Sequence, residues 1–215
     1  MLFRSNGIVG TIFSVRPRSS RPRHVELDPL GAGTEQVAAG YIMYGPATLM
    51  ILTIGDGVDG FTLDPRTGEF ALSHRAIRIP ARGRTYSVNE GNTSRWPTPV
   101  QRYVEHLRSP DGADGRPYGA RYVGSLVADV HRTLLDGGVF LYPGETGGGR
   151  ADGKLRLLYE AAPMGLIVEH AGGRASTGAR RILDIEASGL HQRVPLIIGS
   201  RDDVASAEAF VAGRR

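Results

Sequence analysis

The 215-residue sequence predicts an α/β or α+β layered fold, with hairpin strands first and alternating helices and strands after them. Three observations carry that prediction. Apolar runs at 37–44, 47–54 and 58–63 are separated by Gly45-Pro46 and Gly55-Asp56-Gly57, a short spacing with turn residues that argues for antiparallel hairpins. Between Tyr122 and Leu135, the residues Val123, Leu126, Val127, Val130 and Leu134 recur at helical spacing and form one apolar face. Val139 to Tyr142, just past Gly137-Gly138, is an apolar run of strand length.

The remaining elements follow in order. Ile8 to Val15 reads as a buried strand, and 16–35, rich in Pro, Arg, Ser and Gly, as a loop. Asp64-Pro65-Arg66-Thr67-Gly68 is a turn, with short edge strands expected at 69–73 and 76–79. Thr85 to Asn89 is a strand, 98–107 a helix and 109–117 a polar loop. A glycine-rich loop occupies 143–153. Leu155 to His170 reads as a helix interrupted by Pro163 and ended by Gly172-Gly173. Arg181 to Ile185 and Val194 to Ile198 are expected strands, and Asp202 to Val211 a final helix with Ser200 as N-cap. A boundary is expected between residues 1–82 and 83–215.

Composition narrows the function classes. Hydrophobic content is 40% and charged content 22%, ordinary for a globular chain. There is no cysteine, so disulfides and thiolate metal sites are excluded, and a reducing, cytoplasmic setting fits. No run approaches the roughly 18 apolar residues of a membrane span. The net charge is +4, but the arginines are scattered and form no basic helix, which argues against nucleic acid. The first 25 residues hold five arginines, four serines and no acid, a transit-peptide composition; the strand pattern of Ile8 to Val15 argues against that reading. Twenty-five of the 26 basic residues are arginine, and Lys154 is the one lysine. A lysine kept against such a bias marks a place that needs a compact, mobile ammonium, or is a chance survivor on a solvated surface.

Lys154 lies in the most suggestive stretch. Gly148, Gly153 and Lys154 nearly match a phosphate-binding P-loop, but Leu155 stands where the motif needs Ser or Thr. At an expected helix start, Lys154 and Arg156 form either an anion site or a solvated helix end. Glu160, expected on the apolar helix that follows, is either an ion-pair partner or a ligand for a hard cation such as magnesium. The six histidines show no metal spacing, and His131 and His191 read as hydrogen-bonding residues.

Several long runs resemble one family. PYGARYVGSLVADVHRTLLDGGVFLYP (117–143), GKLRLLYEAAPMGLIVEHAGG (153–173) and HQRVPLIIGS (191–200) are similar to the C-terminal domain of class I fructose-1,6-bisphosphatases. QVAAGYIMYGPATLMILTIGDGVDGFTLDPRTGEF (36–70) and YSVNEGN (86–92) resemble the middle of that family, and VGTIFSV (9–15) resembles the strand after its metal-binding loop. The resemblance implies an α+β layered sugar-phosphatase fold, with a partial N-terminal sheet of antiparallel strands and a C-terminal mixed sheet flanked by helices. It implies hydrolysis of the 1-phosphate of fructose 1,6-bisphosphate, in gluconeogenesis or the Calvin cycle, with Mg2+ (or Mn2+ or Zn2+). It implies that Asn89, Tyr122, Tyr142 and Lys154 bind the sugar and the 6-phosphate. Arg121 would reach a neighbouring subunit's site, Arg156 would lie near the 1-phosphate and the metals, and Glu160 would be a metal ligand. A homo-oligomer, dimer or tetramer, in the cytoplasm or chloroplast stroma is implied. Asn92 departs from the tyrosine that some members carry.

The family's acidic DPLDGSSN-type loop is expected just before the VGTIF strand, where this chain has only FRSN (3–6). Asp28-Pro29-Leu30-Gly31 resembles it but follows the strand and lacks its second Asp and serines. The expectation is therefore an N-terminally truncated chain that keeps the sugar and 6-phosphate half-site, lacks hydrolysis by itself and is poorly soluble. A non-catalytic sugar-phosphate-binding or regulatory subunit is the alternative, and sedoheptulose 1,7-bisphosphate the alternative substrate.

Overall fold

The computed structural model describes residues 7–17, 31–111, 113–147 and 151–215. The first sheet is an antiparallel meander of β1 (Val9–Val15), β2 (Ala38–Tyr44), β3 (Thr48–Thr53), β4 (Asp59–Asp64) and β5 (Glu69–His74), paired in that order. Its turns fall on the expected Gly-rich breaks. The segments FRSN and Asp28 to Leu30 lie outside the described residues. The second sheet is built from β6 (Thr85–Ser87), β7 (Gly119–Ala120), β8 (Val139–Tyr142), β10 (Arg174–Ser176) and β12 (Leu196–Gly199), in the order β10-β12-β8-β6-β7. It is mixed, since β6 runs parallel to β7 and β8 while β8, β12 and β10 are antiparallel. A separate two-stranded ribbon joins β9 (Leu155–Arg156) to β11 (Arg193–Val194).

Among the described residues four α-helices cover these sheets: α1 (Thr98–Arg108), α2 (Leu126–Asp136), α3 (Ala162–His170) and α4 (Arg201–Val211). Side-chain alternation on β8 and β12 explains the layering. Phe140, Leu196 and Ile198 face one core, shared with α2, α3 and the first sheet. Val139, Leu141 and Ile197 face a second core, shared with α1 and α4. The central strands are thus buried on both faces, which is why they read as unbroken apolar runs. The layers run sheet, helix pair, sheet, helix pair.

Four sequence expectations need correction. Residues 76–79 are not a strand: Ala76 has φ +50, and Ile77 and Ile79 hydrogen-bond separately to Val58 and Ala171. α2 begins at Leu126 rather than Tyr122, because Gly124 at φ +84 breaks the helical path. Arg181 to Ile185 holds a 3-10 turn over Ile182–Asp184. Ile182 and Leu183 are adjacent and both buried, which a one-faced strand does not allow. The sequence reading also missed β10. Finally, 155–170 is not one helix. Leu155 and Arg156 pair with β11, Leu157–Ala161 forms a π turn, and α3 starts only at Ala162. The π turn runs into α3 without a break, since Ala161 and Ala162 both keep helical φ and ψ, and Pro163 sits just past the change from π to α without ending the helical run.

Candidate functional site

The site is built where the C-terminal end of β8 meets the β9–β11 ribbon. Gly153 makes this junction possible. Its φ is +77, and a Cβ there would lie 2.5 Å from the Val194 carbonyl oxygen and 2.6 Å from the Pro195 nitrogen. Only glycine lets the chain pass this close and place Lys154 at the head of β9. A pocket of about 220 Å³ opens there. Leu126, Phe140 and Leu155 supply its apolar lining, and Tyr122, Tyr142, Lys154, Arg156 and Glu160 its polar groups. Five of the seven residues singled out in the sequence therefore line one cavity.

The polar groups form a graded set of charges. The Lys154 ammonium sits 5.8 Å from the centre of the Tyr142 ring, a cation–π distance. The Arg156 guanidinium lies 5.9 Å from the Tyr159 ring and 3.7 Å from the Glu160 carboxylate. The Tyr122 hydroxyl is held above its ordinary value of 10.0 by desolvation first, then by Tyr142 and the Asp129 charge. It stays protonated near neutral pH and acts as a hydrogen-bond donor. Two cations and two phenols around a cavity with one carboxylate suit an anionic ligand of phosphate type.

Asn89 lines an adjoining cleft that shares Tyr142 with the pocket. Its carbonyl oxygen Oδ1 accepts from the Gly91 amide at 3.2 Å. Among the described residues nothing accepts from its side-chain nitrogen. Arg121 lines neither cleft; it is exposed, and its guanidinium donates to the Ala120 carbonyl at 2.8 Å.

The expected helix N-terminus holds only one of the two cations. Arg156 is the N-cap of the helical segment that begins at Leu157, while Lys154 precedes β9, so the P-loop geometry does not apply. The turn at 157–161 is instead closed by Glu160, whose carboxylate accepts from the Arg156 amide at 2.7 Å. Nor is Glu160 deeply buried, since its side chain keeps 23% exposure. As a magnesium site the pocket is insufficient. Glu160 is its single acidic lining residue, and among the described residues no group of three His, Asp or Glu side chains converges.

Sequence reasoning missed the residues that hold the pocket wall. Asp129 is fully buried in α2, and its carboxylate accepts from the amides of Val123 and Gly124 at 3.0 to 3.2 Å. Arg132 donates to Asp129 at 2.7 Å, to the Arg121 carbonyl at 3.0 Å and to Ser87. Asp129 lies to the side of the apolar face formed by Val123, Leu126, Val127, Val130 and Leu134, so the sequence pattern carried no signal for it. His131 is a core residue, as expected, bonded to the Tyr41 hydroxyl at 2.8 Å; His191 bonds Tyr159 at 2.8 Å on the surface.

Comparison with known proteins gives a consistent picture. A family model described as "Fructose-1-6-bisphosphatase, C-terminal domain" matches residues 79–212, and one described as "Fructose-1-6-bisphosphatase, N-terminal domain" matches residues 4–75. The chain is 55% identical to the class 1 fructose-1,6-bisphosphatase of Sorangium cellulosum, over 96% of this chain and 59% of that protein. It is 53% identical to the class 1 enzyme of Chlorobium phaeovibrioides, over 98% of this chain and 63% of that one. The chain thus spans less than two thirds of the length of these curated relatives. The fold is similar to that of Leishmania major fructose-1,6-bisphosphatase in holo form, with a TM-score of 0.90 and 44% identity, covering 98% of this chain and 66% of that one.

Proposed function

Because the chain belongs to the fructose-1,6-bisphosphatase family, we propose that its pocket is the sugar and 6-phosphate half-site of a fructose-1,6-bisphosphate 1-phosphatase. The observation that carries this reading is the convergence of Tyr122, Tyr142 and Lys154 on one cavity, beside the Arg156–Glu160 pair. The phosphate that is kept binds between the Lys154 ammonium and the hydroxyls of Tyr122 and Tyr142, with the Asn89 amide donating from the adjoining cleft. Charge-assisted hydrogen bonds hold a dianion there, and the apolar floor of Leu126 and Phe140 restricts water. The phosphate that is removed lies toward Arg156, whose guanidinium steadies the charge developing on its oxygens.

A divalent ion such as Mg2+, Mn2+ or Zn2+ would supply Lewis acidity for hydrolysis, and Glu160 would offer it one carboxylate. The other ligands must come from residues beyond the described pocket. In this reading the described pocket binds the product end of the substrate, and hydrolysis depends on ligands from outside that pocket. The active enzyme is a cytoplasmic homo-oligomer in this reading, with the exposed Arg121 reaching the neighbouring copy's phosphate. The division into 1–82 and 83–215 belongs to the same reading, supported by the first sheet ending at His74 and the second beginning at Thr85.

The test is calorimetric binding of fructose 6-phosphate to the chain and to Lys154→Ala, alongside magnesium-dependent phosphate release from fructose 1,6-bisphosphate. Loss of one charge-assisted contact, worth about 1.5–3 kcal/mol, weakens binding roughly tenfold or more. Equal affinity of the two proteins would overturn the assignment of the pocket.

A further inference from the structure

We propose that Asp129 and Arg132 are positioning residues: a buried latch that holds segment 121–124 against the end of β6 and so sets the geometry of the phosphate grip. The proposal rests on the reading of the pocket given above. Its evidence is a chain of contacts that converge on the two backbone segments bearing the candidate phosphate ligands.

The first segment, Arg121 to Gly124, carries Tyr122 and lies outside any helix or strand. Both of its inner amides, Val123 and Gly124, donate to the Asp129 carboxylate. A glycine at φ +84 directs the second of these amides inward. The carboxylate thus replaces the helical turn that the apolar pattern of 122–135 would otherwise form, and Tyr122 faces the pocket instead of continuing α2. The second segment is the end of β6, where Ser87 stands two residues before Asn89. Arg132 touches both segments. Its Nη2 lies within reach of the Ser87 hydroxyl, the Arg121 carbonyl and the Asp129 carboxylate. Both segments of the phosphate grip therefore hang on one ion pair within α2, 2.7 Å long and closed to solvent on the aspartate side.

Neither side chain lines the pocket, so neither binds ligand directly. Asp129→Asn keeps the shape and places an amide donor against the N–H groups and guanidinium that the carboxylate accepts from. Two readouts separate the possibilities: fructose 6-phosphate affinity, and hydrogen–deuterium exchange of the peptide covering 118–126. The latch predicts faster exchange confined to that peptide, and affinity lower by on the order of ten- to a hundredfold, as when groups that orient a binding residue are removed. Ser87→Ala removes only the β6 acceptor and gives a smaller loss in the same direction. It decides the question if Asp129→Asn does not fold. A merely structural role predicts a lower melting temperature with unchanged affinity in the folded variants, and that result overturns the proposal. Wild-type protein that binds no fructose 6-phosphate overturns the reading of the pocket instead. In that case local exchange at 118–126 in the variants supports the latch if it rises and sinks it if it does not.

Discussion

Alanine at position 153 separates steric crowding from backbone strain with unusual clarity. Two costs apply in the folded state. A non-glycine residue at φ +77 costs roughly 1–2 kcal/mol. The new methyl would also sit 2.5 Å from the Val194 oxygen, well inside the roughly 3.3 Å at which carbon and oxygen normally meet. The obstacle is backbone, so the β9–β11 ribbon must move, which forfeits about two ladder hydrogen bonds at about 1 kcal/mol each. Against this, the unfolded chain loses freedom worth about 0.4–1 kcal/mol. The net destabilisation is about 2–3.6 kcal/mol, or roughly 4–14 °C in melting temperature for a chain of this size. Gly147→Ala is the control: its φ is +86, but nothing lies within 4 Å of its Cβ position. Strain alone, partly offset by the same entropy term, leaves it within about 1 kcal/mol of the parent. Thermal unfolding followed by circular dichroism measures both. Equal shifts for the two variants would show that the close approach at Val194 does not constrain the ribbon, and the account of how Lys154 is placed would fail with it.

Two further outcomes can be checked by the same method. Burial holds the His131 ring below its ordinary 6.5, with His74 adding to the depression and Asp136 opposing it. Between that lowered value and 6.5 the unfolded chain binds the extra proton and the folded chain does not. The contribution to stability is thus fully present above about pH 6.5 and is lost as pH falls through the folded value. Unfolding measured from pH 7.5 to 5 should show His131→Asn with a flatter profile than the parent; parallel profiles would exclude His131 as a source of acid sensitivity. Leu134 is fully buried in the core between the first sheet and the second. Leu134→Ala should cost about 2–5 kcal/mol, read as a lower urea midpoint with unchanged slope.

Much of the site was legible along the chain. A single lysine among 26 basic residues pointed to position 154, and the structure places it in a pocket with Tyr122, Tyr142, Arg156 and Glu160. The hairpin meander was legible because its signals are local: a glycine-rich turn and the apolar run beside it act within a few residues of each other. What the pattern misjudged were segments whose conformation depends on a distant partner. Leu155 and Arg156 carry helix-forming side chains, yet they are a strand because Arg193 and Val194, almost forty positions later, offer the opposite edge. Tyr122 and Val123 continue the helical apolar spacing, yet they leave the helix because Asp129 takes the amides of Val123 and Gly124.

Residue type and short-range sterics thus determined where the chain must turn and singled out Lys154, Arg156 and Glu160, while Tyr122 and Tyr142 were offered by the family resemblance. Tertiary structure alone decided that those side chains share one cavity, that the Glu160 carboxylate closes the turn at 157–161 onto the Arg156 amide, and that Arg121 stands outside the pocket. The reason is that a backbone segment adopts whatever geometry satisfies its buried hydrogen-bonding groups, and the groups that satisfy these segments are supplied by other parts of the fold.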